Sequence, residues 1–401
     1  MFLFAILVIG GFGIYVMSPE ERRRALGVAR GHAATVGRGV LADLDACGPW
    51  LAALRARSGR PFGALTIAAV YVTIGAFAFG THLGADAETL VGWGATYGPR
   101  TTNGEWWRLV TAMFLHPGVV SLAIDAIAIV QLGFAAELIF GHVAFGAVFV
   151  ASGILANTVY LAGHPLAVGT GASGSLYGVY GLAIAWGIHG VRVPSELTIP
   201  SRGFRLLAPI ACLFVLASLL TDGSSPAANL AALTLGAVSG WLLSGVAEHA
   251  SPAPVRVAGI VGSTVVTIVL MAVPSIGTTD VRPEIARVVG LEAETAAPYA
   301  EAVTQFRLGA TSATALADMI DRRILPEIQE EQTRLDRLRG VPAEHRALVA
   351  SAERYVRLRG ESWQLRARAL HSSSMRALRL ADDKEREALD AFDQLKAAAP
   401  R

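Results

Sequence analysis

Charge is scarce where this sequence is most apolar. Of its 401 residues 16% are charged and 53% are hydrophobic. The charges crowd into the last third: from Ile276 onward there are 20 acidic and 20 basic residues. That asymmetry separates a membrane part from a soluble part. The net charge of +2 gives no argument for nucleic acid. Cysteine is nearly absent. Cys47 and Cys212 stand in separate segments, and Cys212 lies inside an apolar run, so a disulfide framework is excluded. No segment sets His, Cys or carboxylates at ligand spacing, so neither a metal nor another cofactor is expected.

Seven long apolar runs follow an apolar N-terminus. Residues 1–17 are uncharged, and Glu20-Glu21-Arg22-Arg23-Arg24 comes after them. Positive charge behind the apolar stretch predicts an outward-starting membrane anchor; a cleaved signal peptide is the alternative. Residues 18–62 hold eight arginines and four acids and read as a basic cytoplasmic segment. It could touch anionic lipid or be a solvated linker. Apolar runs then lie over 61–84, 118–136, 143–163, 172–189, 206–220, 229–247 and 257–275, each of a length to span a bilayer, with 206–220 short. Alternation puts the loops 85–117, 164–171 and 221–228 outside. The 190–205 loop with Arg192, Arg202 and Arg205 falls inside. An odd number of spans places the tail, 276–401, outside. In the tail apolar residues recur at helical spacing between dense charges, with Pro326, Gly340-Val341-Pro342 and Gly360 as breaks. A helical hairpin, three-helix bundle or coiled coil is expected there, able to meet a protein partner. Its stretch Arg354 to Arg368 reads as a solvated face rather than an anion site.

The candidate chemistry sits at Gly171-Ala172-Ser173-Gly174-Ser175-Leu176-Tyr177-Gly178. A serine among small residues, opening an apolar helix, can present its hydroxyl to an approaching backbone. Upstream come Glu105-Trp106-Trp107-Arg108-Leu109-Val110-Thr111-Ala112-Met113-Phe114-Leu115-His116 and then Ala136-Glu137-Leu138-Ile139-Phe140-Gly141. Downstream a helix is patterned with small residues at Ala232, Gly236 and Gly240. In this order the features resemble the rhomboid family of intramembrane serine proteases, over residues 63–247.

The resemblance implies an all-α polytopic fold with a six-helix core, here extended by a membrane helix at each end and by the soluble helical tail. It implies a cavity in which a serine attacks a transmembrane substrate. A histidine on the sixth helix would be the base; a histidine and an asparagine on the second helix, with backbone amides, would hold the oxyanion. Carried onto this chain, the nucleophile is Ser173, flanked by Gly171, Ala172 and Gly174. The base position is Leu233, and no histidine occurs from Gly190 through Glu248. The oxyanion positions are Ser121 and Asp125. Trp107, Arg108, His116, Glu137, Gly178, Gly236 and Gly240 match structural positions. A serine hydroxyl without a base is a poor nucleophile, and a carboxylate opposes a developing oxyanion.

The expectation is therefore a pseudoprotease that binds transmembrane clients in the lipid bilayer of a prokaryotic inner membrane. The alternative is an atypical active protease using Ser173, for which the outer-loop His164 is the candidate base. His189, about 24 Å down the same helix, is too far. Asp125 is either functional or hydrogen-bonded to Ser121, Trp106 or Trp107. Trp106 and Trp107 suit the membrane interface, and Arg108 is expected to brace the loop through backbone carbonyls.

Overall fold

The computed structural model describes residues 19–58, 60–81, 86–220, 225–247 and 254–398, so the anchor expected over 1–17 lies outside the described residues. The described chain is almost wholly helical and divides between Ser275 and Ile276 into two compact units.

In the first unit the basic segment is not an irregular linker. It forms α1 (Pro19–Ala46) and α2 (Gly48–Ser58). Leu54 of α2 is fully buried with Leu138, Phe140 and Trp186. The indole N–H groups of Trp50 and Trp186 both donate to the Leu197 carbonyl, at 3.1 and 3.2 Å. The helices that follow are α3 (Phe62–Thr81), the short α4 (Ala87–Trp93), α5 (Val119–Phe140), α6 (His142–Gly163), α7 (Ser173–Arg192), α8 (Ser201–Leu220), α9 (Pro226–Ala247) and α10 (Pro254–Ala272).

Five of the described helices are long and apolar enough to cross a membrane: α5, α6, α8, α9 and α10. The apolar part of α3 is shorter, Phe62–Ala78. Helix α7, expected as a span, is not among the five; its 20 residues include five glycines, His189 and Arg192. Its surroundings explain that composition, because ten of its residues are buried against neighbours. Boundaries also move. Helix α8 begins at Ser201 rather than 206, so a stretch expected as loop adds a turn, and Pro209 is accommodated inside it. Helix α5 runs on to Phe140 through a wide π-type turn at Ile129–Gly133, and the chain reverses at Gly141, whose φ of 84° suits glycine.

Glycine faces set the closest packing. A Cβ on Gly236 of α9 would overlap the Gly178 carbonyl of α7, and one on Gly240 would lie 3.1 Å from the Leu182 carbonyl oxygen. The backbones therefore touch directly, as small residues at four-residue spacing permit. Helix α10 lies chiefly along α6.

Glu137 joins three elements. Its fully buried carboxylate accepts the N–H groups of Gly63 and Ala64 at 2.7 and 2.8 Å, and also meets His142 Nδ1. The first two contacts cap the start of α3 from another helix, where amides lack intrahelical acceptors and negative charge is favoured. Glu137→Gln keeps the shape but turns one acceptor into a donor facing an N–H. It should cost about 2 kcal/mol, read as a fall of roughly 4–8 °C in the thermal melt of the purified protein. An unchanged melt would show that the cap carries no stability.

The second unit differs from a hairpin or three-helix bundle. It is built from α11 (Arg282–Arg307), α12 (Ala313–Met319), α13 (Leu325–Asp336), α14 (Arg346–His371) and α15 (Met375–Ala398), with α12 passing into α13 through Ile320–Ile324 without a break. Pro326 therefore does not end a helix; it lies just after the wide π-type turn Ile320–Ile324 through which α12 runs on into α13. Gly360 is buried inside α14, a Cβ there meeting Ile328 at 3.3 Å, so it serves close packing. The expected break at Gly340-Val341-Pro342 is present between α13 and α14. The core joins Val288, Ile320, Ile328, Tyr355, Val356, Trp363 and Leu395.

Candidate functional site

Ser173 is the first residue of α7. The turn delivering it needs Gly171, at φ 109°, whose N–H donates to the Ala112 carbonyl at 2.9 Å. The segment before it is pinned to the 86–117 loop by an antiparallel bridge: Thr96 N–H to Gly169 O at 3.0 Å and Gly169 N–H to Thr96 O at 2.9 Å. Ala172 is fully buried, and Gly174 packs where a Cβ would overlap Ala156. The serine is thus placed by a glycine in a positive-φ turn, a pinned loop and a close helix contact.

Arg108 holds the same loop from below. Its Nη1 donates to the carbonyls of Val91 and Ala95, at 2.5 and 3.1 Å, around the end of α4. Its Nε pairs with Glu105 at 2.5 Å, and the guanidinium lies 4.7 Å from the Trp107 ring centre. A cation on the last carbonyls of a helix is the favourable polarity, and this is the bracing role expected for Arg108. Trp107 is exposed.

Ser173 lines a cavity of about 360 Å³ together with Leu90, Ser121, Ile124, Asp125, Thr170, Gly171, Phe214 and Ser218. Ser121 and Asp125 thus do share a space with the serine. A smaller space beside Ser173 is lined by Asn157, Ser225, Ala228 and Asn229. Leu233 lines neither; it is half-buried in the α7–α9 packing. The polar residue that α9 brings toward Ser173 is Asn229, one helical turn before Leu233. A search of α9 for histidine misses it, although four-residue spacing puts the two on one face. An amide carries no basic nitrogen, so Asn229 does not replace the base.

Among the described residues none forms a hydrogen bond with the Ser173 hydroxyl. His164 is exposed and stacks on Tyr160, ring centres 5.2 Å apart. His189 stacks on Trp186 at the other end of α7. The two lysines of the chain, Lys384 and Lys396, both belong to the second unit.

Asp125 takes none of the partners expected for it. Its Oδ2 is hydrogen-bonded to His116 Nε2 at 3.1 Å, both side chains buried, with the imidazole edge-on to Tyr71. Ser121 and the tryptophans are not involved. The link spans nine residues and forms because the loop carrying His116 folds back onto the start of α5; helical spacing alone points only to neighbours one turn away. A further cross-helix bond, Tyr177 hydroxyl to Ser218 hydroxyl at 2.8 Å, ties α7 to α8 at the cavity wall.

These features define a polytopic membrane protein with a serine at a helix start, facing a cavity among helices whose mainly apolar wall carries a few polar side chains. A family model for the Rhomboid domain matches residues 103–246. The chain is 31% identical over 162 residues to the putative rhomboid protease YdcA of Bacillus subtilis, covering 39% of this chain and 77% of that protein. It is 35% identical over 96 residues to the rhomboid protease GluP of B. subtilis, covering 24% of this chain and 19% of that protein. With the mitochondrial RHOMBOID-like protein 6 of Arabidopsis thaliana it shares 28% identity over 162 residues, covering 40% of this chain and 50% of that protein. The chain belongs to the rhomboid family and is an integral, multi-pass membrane protein.

Proposed function

We propose that this rhomboid-family protein is a pseudoprotease, binding transmembrane client segments at the Ser173 cavity without cutting them. The observation that carries the reading is the unpartnered Ser173 hydroxyl, with leucine at the base position and His164 turned onto Tyr160. Without a base in hydrogen-bond reach the hydroxyl stays protonated and weakly nucleophilic. Loss of one member of a serine–base unit removes most of the rate. Asp125 adds to this. Bound to His116, it presents an acceptor where acyl transfer needs a donor. The second reading, an active protease using Ser173, is favoured by the intact Gly171-Ala172-Ser173-Gly174 and by the helix start that points its free amides at the same place.

A fluorophosphonate probe separates the two on detergent-purified wild type beside Ser173→Ala. We expect no labelling of either, with both eluting as folded protein. Labelling of the wild type that disappears in Ser173→Ala would show an activated serine and overturn the pseudoprotease reading.

The same proposal places the second unit outside the membrane, following from the basic segment 18–62 inside and an odd number of crossings after it. There its helices are free to meet a protein partner. A prokaryotic inner membrane remains the proposed home, with relatives both in B. subtilis and in a plant mitochondrial protein.

A further inference from the structure

We infer that the Ser173 cavity is built to receive a hydrogen-bond donor, and that the client it holds is a transmembrane segment carrying a basic side chain. The inference rests on the client-binding reading and gives it a chemical class. Between Leu109 and Val191 the sequence has two charged side chains, Asp125 and Glu137. Both are buried, and each meets a histidine. The oxygens of Glu137 are fully engaged by Gly63, Ala64 and His142. Asp125 is engaged through Oδ2 alone, and among the described residues it forms no second hydrogen bond.

One proton serves the His116–Asp125 pair, lying between Nε2 and Oδ2 whichever atom carries it. Oδ1 is then an acceptor in either case. It belongs to a residue on the wall of a 360 Å³ cavity whose other polar groups, Ser121, Thr170, Ser173 and Ser218, are uncharged. Family members are expected to present donors here, to an oxyanion; this chain presents an acceptor. An acceptor facing a space inside a membrane is satisfied by a donor. A lysine or arginine within a transmembrane segment has the complementary need, because it is costly in lipid without an acceptor or counter-charge. An acidic segment meets the wrong polarity, and an apolar one leaves Oδ1 unpaired.

The test uses the full chain in lipid nanodiscs and leucine-rich transmembrane peptides bearing a benzophenone. The peptides are identical except for Lys, Leu or Glu at one central position. Wild type should bind and crosslink the Lys peptide at least tenfold better than the Leu peptide, and the Glu peptide least. Asp125→Asn should remove the preference, and Asp125→Glu should restore at least part of it. Equal binding of the Lys and Leu peptides by wild type overturns the inference, whether or not Asp125→Asn folds. So does a Lys preference that survives Asp125→Asn. Either result leaves client binding itself standing. Cutting by wild type but not by Ser173→Ala overturns the pseudoprotease reading instead, and the Lys preference is then read on Ser173→Ala. Failure to bind any peptide overturns both.

Discussion

Gly236→Ala should destabilise the membrane unit more than any other single-methyl addition among the glycines of α9. The added carbon overlaps the carbonyl of Gly178, with that residue's C and Cα also within 2.9 Å. Backbone cannot rotate aside as a side chain can, so α7 and α9 must separate. Overpacking typically costs 1–3 kcal/mol, and a backbone clash belongs at the upper end, about 3 kcal/mol. For a unit of this size that is a fall of roughly 6–12 °C in melting temperature. Gly262→Ala is the internal control: it lies mid-helix in α10 with nothing within 4 Å of a new Cβ. Alanine is the better helix former by up to about 1 kcal/mol, so this variant should hold or raise the melt. Equal melts for the two variants would mean that α7 and α9 are not in backbone contact. The consequence reaches function, because α7 carries Ser173 at its first residue. Separating the helices moves the serine relative to the cavity.

That contact is legible in the sequence because it depends on residue size at a fixed spacing. Ala232, Gly236, Gly240, Gly174 and Gly178 mark a close-packing face by their spacing alone. The Gly171 turn and the bracing by Arg108 are legible for a similar reason, since each is fixed by local chemistry. The partner of Asp125 is not. Helical spacing offers Ser121, but the acid reaches His116 across a loop reversal that no periodicity encodes. The place of Leu233 is half legible: alignment of glycines puts it at the base position, while its height relative to Ser173 depends on how α9 is shifted along α7. That register brings Asn229, one turn earlier on the same face, to the space beside Ser173. In the second unit the arginines from Arg354 to Arg368 read as one solvated face. Arg354, Arg357 and Arg368 are indeed exposed, yet Arg359 is buried and Arg366 half-buried. A charge run gives no sign of which members turn inward, because that depends on acids 67 and 26 residues away.

Those acids make Arg359→Met the second large effect. Arg359 is 2% exposed and grips Glu292 with two bonds, Nε to Oε2 at 2.9 Å and Nη2 to Oε1 at 2.7 Å. Its Nη1 donates to Glu385 at 2.7 Å, and its guanidinium lies 4.6 Å from the Trp363 ring centre. Glu292 also accepts the Tyr355 hydroxyl at 2.6 Å, and Glu385 accepts Arg366 at 2.7 Å. The network ties α11, α14 and α15 together. Methionine fills the space but leaves Glu292 without its cation, and breaking a buried pair from one side costs about 3–5 kcal/mol. In the full chain this should lower hydrogen-exchange protection across α11, α14 and α15 by a hundredfold or more. A loss below tenfold would show the network to be energetically idle. Adding Glu292→Gln should recover part of the loss, since it removes the stranded charge rather than the contact.

The pH dependence supplies a sign. Burial pushes the Glu385 carboxyl up, but the Arg359 and Arg366 guanidiniums outweigh it and hold the group below the usual range. A lowered carboxyl stabilises the fold above the unfolded value, about 4.3. That stability is lost as pH falls through the folded value. With Arg359 removed, burial has less opposing it and the carboxyl moves upward. Wild-type protection should therefore hold from neutral pH down to about 4.3 and fall as the pH is taken lower. In Arg359→Met the fall should be smaller or reversed, because protonating Glu385 then relieves buried charge. A steeper acid loss in the variant than in the wild type would contradict the assignment of Arg359 as a group that holds the Glu385 carboxyl down.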